Sequence, residues 1–129
     1  MYLQLLVIMA FFGISSACVC PNITEDEKFC TGNFAASIYV KGGCQDLFKP
    51  ERIYDIEIIK KLRGPSNIRR AHHLKTATHS CGATLQPNKY YVISGHLAGG
   101  RLLESDFCKL KIEYDNKMEA DKYEVPTCR

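Results

Sequence analysis

The chain has 129 residues, 46% of them hydrophobic and 24% charged, which is enough for one folded domain and excludes a two-domain enzyme. Its 17 basic and 14 acidic residues give a formal net charge of +3 at pH 7. A charge excess this small indicates solubility and at most an affinity for anionic matrix polysaccharide.

The first 17 residues predict a secretory signal peptide. Residues 1–17 contain no Lys, Arg, Asp or Glu, and their apolar core is followed by small residues, with Ser15 and Ala17 at the −3 and −1 positions of a cleavage site. The apolar run is too short to span a bilayer and no second one follows it, so no membrane span is expected. Cleavage leaves a secreted single domain, residues 18–128, that begins at Cys18, and export excludes an intracellular nucleic-acid binder.

Seven cysteines follow the predicted cleavage point: Cys18, Cys20, Cys30, Cys44, Cys81, Cys108 and Cys128. In an exported chain they predict disulfides, and their odd number leaves one thiol over. Cys18 and Cys20 are separated by one residue and point to opposite sides of an extended segment, so each is expected to bond a distant partner. The candidates are Cys81, Cys108 and Cys128, and the residues alone leave the pairing open.

The beginning of the mature chain predicts a short helix and a first strand. Thr24, followed three residues later by Glu27, has the spacing of a capping box and predicts a helix over Thr24–Phe29. Phe34–Lys41 is a candidate strand, and the glycine pair 42–43 is expected to end it.

The remaining segments predict further strands. Arg52–Arg63 alternates apolar and charged residues and predicts the clearest strand, whereas Ile68–Ala77 is polar and basic and predicts an edge strand. On the apolar face of the clear strand we expect Tyr54, Ile56, Ile58 and Leu62. Lys89–Leu97 and Arg101–Phe107 flank an Ala-Gly-Gly turn and predict a hairpin. Short strands with glycine-rich turns predict a mainly β protein, a small closed barrel.

Specific sequence blocks run along nearly all of the mature chain. In chain order they are Cys18-Val19-Cys20, Phe29-Cys30, Tyr54-Asp55-Ile56, Leu62-Arg63-Gly64, Ser80-Cys81-Gly82, Tyr91–Leu97, Gly100–Leu103, Cys108, Tyr123-Glu124-Val125 and Cys128. A Cys-x-Cys at the new amino terminus, with nine residues before the next cysteine and in register with the later blocks, is a specific signal. The mature chain therefore resembles the amino-terminal, netrin-like (NTR) domain of the tissue inhibitors of metalloproteinases.

The resemblance implies a fold and a set of disulfides. The fold is a five-stranded OB-fold-like closed barrel with one to three short helices, stapled by disulfides. The implied pairs are Cys18 to Cys81, Cys20 to Cys108 and Cys30 to Cys128, which leaves Cys44 unpaired. A free thiol, an intermolecular disulfide and a thiol buried as a small apolar group stay open for Cys44.

The resemblance also implies a function, that of a secreted, monomeric inhibitor of zinc metalloproteinases of the matrix metalloproteinase class. Such a protein is not an enzyme and has no cofactor of its own. Backbone atoms of Cys18 would bind the catalytic zinc of the protease, and Val19 would enter its specificity pocket. The rest of the implied inhibitory ridge is Cys20, Pro21, Asn22, Thr78, His79, Ser80, Cys81 and Gly82.

Two features favour an alternative, a netrin-like extracellular binding module that recruits a receptor, matrix or immune partner without touching a protease. Val19 stands where the family more often has Thr or Ser. Asn22-Ile23-Thr24 is the only Asn-x-Ser/Thr acceptor in the sequence, and a glycan at Asn22 would lie on or beside the ridge.

Two further groups of polar residues were considered, the histidines as metal ligands and a basic cluster as a glycan-binding surface. The histidines match no standard ligand spacing, so we expect no metal site of the chain's own; they are His72, His73, His79 and His96. Basic residues concentrated in the middle of the chain are candidates for binding sulfated matrix glycans; they are Lys60, Lys61, Arg63, Arg69, Arg70 and Lys75.

Overall fold

The computed structural model describes residues 19–44, 51–77, 81–99 and 101–128, so the predicted signal peptide lies outside it. In chain order the elements are α1 (Glu25–Phe29), β1 (Phe34–Cys44), β2 (Glu51–Arg63), the 3-10 helix η1 (Ser66–Arg70), β3 (His73–Ala77), β4 (Tyr90–Leu97), β5 (Leu102–Glu104), β6 (Lys111–Tyr114) and α2 (Lys117–Asp121). None of the helices in these ranges has the length and apolar character needed to cross a bilayer.

Five strands close a barrel. β1 pairs antiparallel with both β2 and β4, β2 pairs antiparallel with β3, β3 runs parallel to β5, and β5 pairs antiparallel with β4. β6 adds to the free edge of β4 along Tyr90–Ile93. The prediction of a mainly β, five-stranded closed barrel with short helices is confirmed.

The local signals in the first half of the chain are confirmed with small changes. Thr24 is the N-cap of α1, because its hydroxyl accepts a hydrogen bond from the backbone N–H of Glu27 at 3.2 Å. β1 continues past its predicted end at Lys41, through the glycine pair to Cys44. The second of these glycines, Gly43, packs against the Tyr54 ring, where a Cβ would lie 2.7 Å from a ring carbon, so it serves close packing rather than a turn.

β2 alternates as predicted only in its first half. Tyr54 and Ile56 are buried between exposed neighbours, and Ile58 packs against the interior of the barrel. Leu62 packs against the outer surface instead, so the prediction that all four share one face is wrong there. The register against β1 skips Ile59 and then Leu62 itself, and each extra residue changes which side chains face inward.

The strand predicted over residues 68–77 is confirmed for His73–Ala77, but its prediction as an edge strand is wrong. The 3-10 helix η1 occupies the first part, and β3 lies inside the ring, between β2 and β5. Ile68 and Leu74 are fully buried in the barrel. On β3 only Leu74 and Thr76 are buried, because only one face of a barrel strand points inward, and the polar residues around Leu74 conceal that pattern in the sequence.

Two apolar clusters lie on opposite sides of the β1–β4 pair. The inner cluster fills the barrel and includes Phe34, Ile38, Ile56, Leu74, Tyr91, Ile93 and Leu103. The outer cluster packs α1 and the carboxy-terminal segment on the barrel through Phe29, Ala35, Val92, Leu110 and Tyr123. β6 and α2 were not predicted, since elements of four or five residues are too short to show a period.

Candidate functional site

The amino-terminal segment, Val19–Asn22, lies on the surface and is anchored at its second residue. Cys20 forms a disulfide with Cys108, with a Cα–Cα distance of 5.2 Å. A sulfur of the same disulfide, Sγ of Cys108, lies 3.9 Å from the carbonyl oxygen of Val19. The Val19 side chain is 88% exposed, and Pro21 and Asn22 are also exposed. An apolar side chain therefore projects into solvent from a segment that the barrel holds in place.

A second segment, Cys81–Gly82, is fixed against the end of β3. Cys81 is disulfide-bonded. At Gly82 a Cβ would lie 1.7 Å from the carbonyl oxygen of Ala77, so the two backbones meet without room for a side chain. The next N–H, that of Ala83, donates to Oγ1 of Thr76 at 2.7 Å in a buried position. These contacts determine where the segment leaves the barrel.

Phe107 joins the two segments. Its N–H donates to the carbonyl oxygen of Cys81 at 2.9 Å, and the next residue is Cys108, the disulfide partner of Cys20. The carboxylate of Asp106 accepts a hydrogen bond from the N–H of Cys108 at 2.7 Å, which holds this turn. The Phe107 side chain is 59% exposed. We call the surface formed by Val19–Asn22, Cys81–Gly82 and Phe107 the ridge. It consists of the described part of the implied inhibitory ridge together with Phe107.

Phe107 was not predicted from the sequence as a member of the ridge. The one signal in the sequence is that Phe107 precedes Cys108. This position indicates a place near the amino-terminal segment only when Cys108 is known to pair with Cys20. The structure brings together five predicted ridge residues after Val19: Cys20, Pro21, Asn22, Cys81 and Gly82.

Several predictions concern residues outside the described ranges. Cys18, Thr78, His79 and Ser80 lie there, so their roles in the ridge and the pairing of Cys18 with Cys81 stay predictions. Cys44 ends β1, and the state of its thiol likewise stays a prediction. The other two disulfides, Cys20 to Cys108 and Cys30 to Cys128, are confirmed.

The comparison with family models decides the relationship of the chain to known proteins. The model described as tissue inhibitor of metalloproteinase matches residues 16–127. The chain belongs to this family. No curated protein matches it. Members of this family are inhibitors of metalloproteinases and not enzymes, so membership suggests metalloproteinase inhibition for the chain.

Arg63 is one of the basic residues predicted to bind glycans, but its guanidinium binds backbone carbonyl oxygens of the chain instead. Its guanidinium donates to the carbonyl oxygens of Phe29 at 2.9 Å, Thr31 at 2.7 Å and Gly32 at 3.1 Å. It also lies over the Phe29 ring, 5.9 Å from the centroid. Burial lowers the pKa of the Arg63 guanidinium. Arg63 therefore ties the end of α1 to β2 and is not free for a ligand.

Lys75 is also engaged, beside a polar surface pocket of about 390 Å³ near the ridge. Its ammonium lies 2.7 Å from Glu104 and 3.3 Å from Glu51, and these hydrogen bonds raise the pKa of Lys75. The remaining basic residues of the group lie elsewhere. A surface pocket of about 250 Å³ is lined by Lys60, Lys61 and Arg69. It lies toward the carboxy-terminal end of β2, whereas Ala77 of β3 pairs with Glu51 at the amino-terminal end. Sulfated-glycan binding there stays a prediction, which retention on a heparin column would test.

The described histidines do not converge. Nε2 of His73 lies 3.1 Å from a carboxylate oxygen of Asp55 on the barrel surface, whereas His96 lines the pocket near the ridge. Within the described ranges, no group of three or more His, Cys, Asp or Glu side chains is placed to hold a metal ion. The fourth histidine, His79, lies outside those ranges.

Gly82→Ala is expected to lower the free energy of unfolding by about 2 kcal/mol, since an added methyl group overlaps the backbone of β3. The matched control is Gly42→Ala, because a Cβ at Gly42 meets nothing within 4 Å. Urea denaturation of both variants, with the disulfides intact, measures the difference. Equal loss of stability in the two variants would contradict the close approach at Gly82.

Proposed function

We propose that the chain is a secreted inhibitor of zinc metalloproteinases of the matrix metalloproteinase class and that its mature amino terminus occupies the catalytic zinc of the protease. The observation that carries the proposal is the exposed Val19 side chain, held next to the Cys20 to Cys108 disulfide. Family membership supports metalloproteinase inhibition in general. The zinc belongs to the target enzyme, and the inhibitor performs no turnover.

The proposed contact with zinc is made by the backbone of Cys18. A catalytic zinc has three protein ligands and keeps one position for water or substrate. The α-amino group and the carbonyl oxygen of one residue form a five-membered chelate ring, which would expel that water. An α-amine with a pKa of roughly 7.7–8.0 must lose its proton to coordinate, so inhibition should weaken as the pH falls below this range.

Val19 supplies the apolar contact in the specificity pocket. Transfer of a valine side chain from water into an apolar pocket is worth roughly 1.5 kcal/mol or more, and Val19 has nearly all of its surface available for that transfer. Ordering a side chain on binding costs roughly 0.5–1.5 kcal/mol. The disulfide at Cys20 has already ordered the segment, so less of this cost arises on binding.

Phe107→Ala is expected to weaken inhibition by about tenfold, because Phe107 would add a second apolar contact beside the amino-terminal segment. The matched control is Met118→Ala, since Met118 is 71% exposed and lies on α2, outside the ridge. Inhibition constants against one metalloproteinase measure both variants. An unchanged constant for Phe107→Ala would remove Phe107 from the contact surface.

The proposal is tested by removing the zinc from the protease. The correctly processed chain is expected to bind the zinc-loaded protease at least about 100-fold more tightly than the zinc-free form, a difference of about 2.7 kcal/mol. Surface plasmon resonance with both forms of one catalytic domain measures it, and reloading with zinc should restore binding. Equal affinity for both forms would contradict zinc occupation. Absence of binding and of inhibition across a panel of metalloproteinases would favour the netrin-like binding module.

A further inference from the structure

The one glycosylation acceptor of the chain lies at the ridge. Asn22 and Thr24, the two residues that define the Asn-x-Thr motif, are both exposed. Asn22 is three residues after Val19, and three residues of extended chain span at most roughly 10 Å. The same short segment therefore contains the side chain proposed to enter the protease and the side chain able to accept a sugar.

We propose that Asn22 carries an N-linked glycan that blocks docking of the ridge, so that occupancy of this single site sets the fraction of the protein able to inhibit. The inference rests on the function proposed above. In the reaction, Nδ2 of Asn22 attacks the anomeric carbon of a lipid-pyrophosphate-linked oligosaccharide in the secretory pathway. A C–N bond forms, the anomeric C–O bond breaks, Nδ2 loses one proton, and the lipid pyrophosphate leaves.

The block is steric, and the fold prevents the ridge from avoiding it. The Cys20 to Cys108 disulfide holds the segment two residues before Asn22, and α1 begins three residues after it, at Glu25. A backbone anchored on both sides cannot swing the glycan away while Val19 stays in place. A protease cleft that receives Val19 must therefore also accommodate a branched oligosaccharide within roughly 10 Å.

Folding competes with attachment of the glycan. The acceptor motif requires the hydroxyl of Thr24, but in the folded chain that hydroxyl accepts a hydrogen bond from Glu27 N–H at 3.2 Å and lies 3.4 Å from the Glu27 carboxylate. The N–H of Ile23 is also taken, by the carbonyl oxygen of Pro21 at 3.0 Å. We expect attachment to precede formation of α1 and the protein to leave the cell as glycosylated and unglycosylated forms.

The experiment expresses the full chain in a eukaryotic secretory cell line and separates the two forms on a lectin column. Intact-mass spectrometry gives the occupancy of Asn22, and inhibition constants are measured against matrix metalloproteinases. Asn22→Gln removes the acceptor and serves only to verify by mass that the glycan is attached there, since Asn22 belongs to the ridge. Thr24→Asp also removes the motif but keeps a good N-cap for α1, whereas Thr24→Ser keeps both the motif and the cap.

The glycosylated form is expected to inhibit at least about tenfold more weakly than the unglycosylated form, a difference of about 1.4 kcal/mol or more. Thr24→Asp, a change outside the ridge, should match the unglycosylated form, and Thr24→Ser should again give two forms that differ in inhibition as the wild-type forms do. An unoccupied Asn22, or equal inhibition by the two forms, would overturn the inference while inhibition itself stands. If neither form nor Thr24→Asp inhibits, the proposed function fails and the inference fails with it.

Discussion

A single alanine added before Cys18 is expected to weaken inhibition of metalloproteinases by at least about 1000-fold, equivalent to about 4.1 kcal/mol of binding free energy. The addition converts the α-amine of Cys18 into an amide, whose nitrogen lone pair is delocalised and does not coordinate zinc. It also places an extra residue where the protease holds its metal. The disulfide framework and the barrel are unchanged by it, so the loss is specific to the terminus.

The matched control carries the extra alanine after Arg129 instead. Intact-mass spectrometry verifies the amino terminus of each preparation, and inhibition constants are then measured against a panel of matrix metalloproteinases. The control should inhibit like the unextended chain. Equal inhibition by all three proteins would exclude chelation by the amino terminus, whereas the barrel and the family relationship would be unaffected.

Arg63→Ala is expected to lower the free energy of unfolding by about 3 kcal/mol, because hydrogen bonds to a charged group contribute roughly 1.5–3 kcal/mol each and are only partly additive. The substitution leaves the carbonyl oxygens of Phe29, Thr31 and Gly32 without their shared donor. Phe29 ends α1, and Thr31 and Gly32 lie between α1 and β1, so the attachment of α1 to the barrel should weaken first.

Arg69→Ala is the matched control, since Arg69 is exposed on η1 and its removal should change stability by less than about 0.5 kcal/mol. Arg63→Lys keeps the charge but lacks the planar guanidinium that reaches several carbonyls. Its loss of unfolding free energy should therefore lie between those of Arg63→Ala and Arg69→Ala. Urea denaturation with the disulfides intact measures all three variants. A similar stability for Arg63→Ala and Arg69→Ala would contradict the structural role of Arg63.

Local patterns in the sequence predicted local structure correctly. The capping pair at Thr24 and Glu27, the first half of β2 and the turn after Leu97 each involve residues a few positions apart, and the structure contains the helix, the strand and the hairpin they predict. The prediction for Leu62 was wrong because the register skips at Ile59 and Leu62 depend on how β1 lies against β2. The prediction of β3 as an edge strand was wrong because the interior position of Leu74 depends on closure of the barrel.

The sequence by itself determined the order of the cysteines, the Cys-x-Cys at the predicted mature terminus, the acceptor motif at Asn22 and, through its blocks, the family. Only the tertiary structure decided that Phe107 lies between the segments of Cys20 and Cys81 and that Arg63 is occupied by backbone carbonyls. Cys20 and Cys108 are separated by 88 residues. Contacts of that separation follow from closure of the barrel, since no local pattern along the chain records which distant segments will meet.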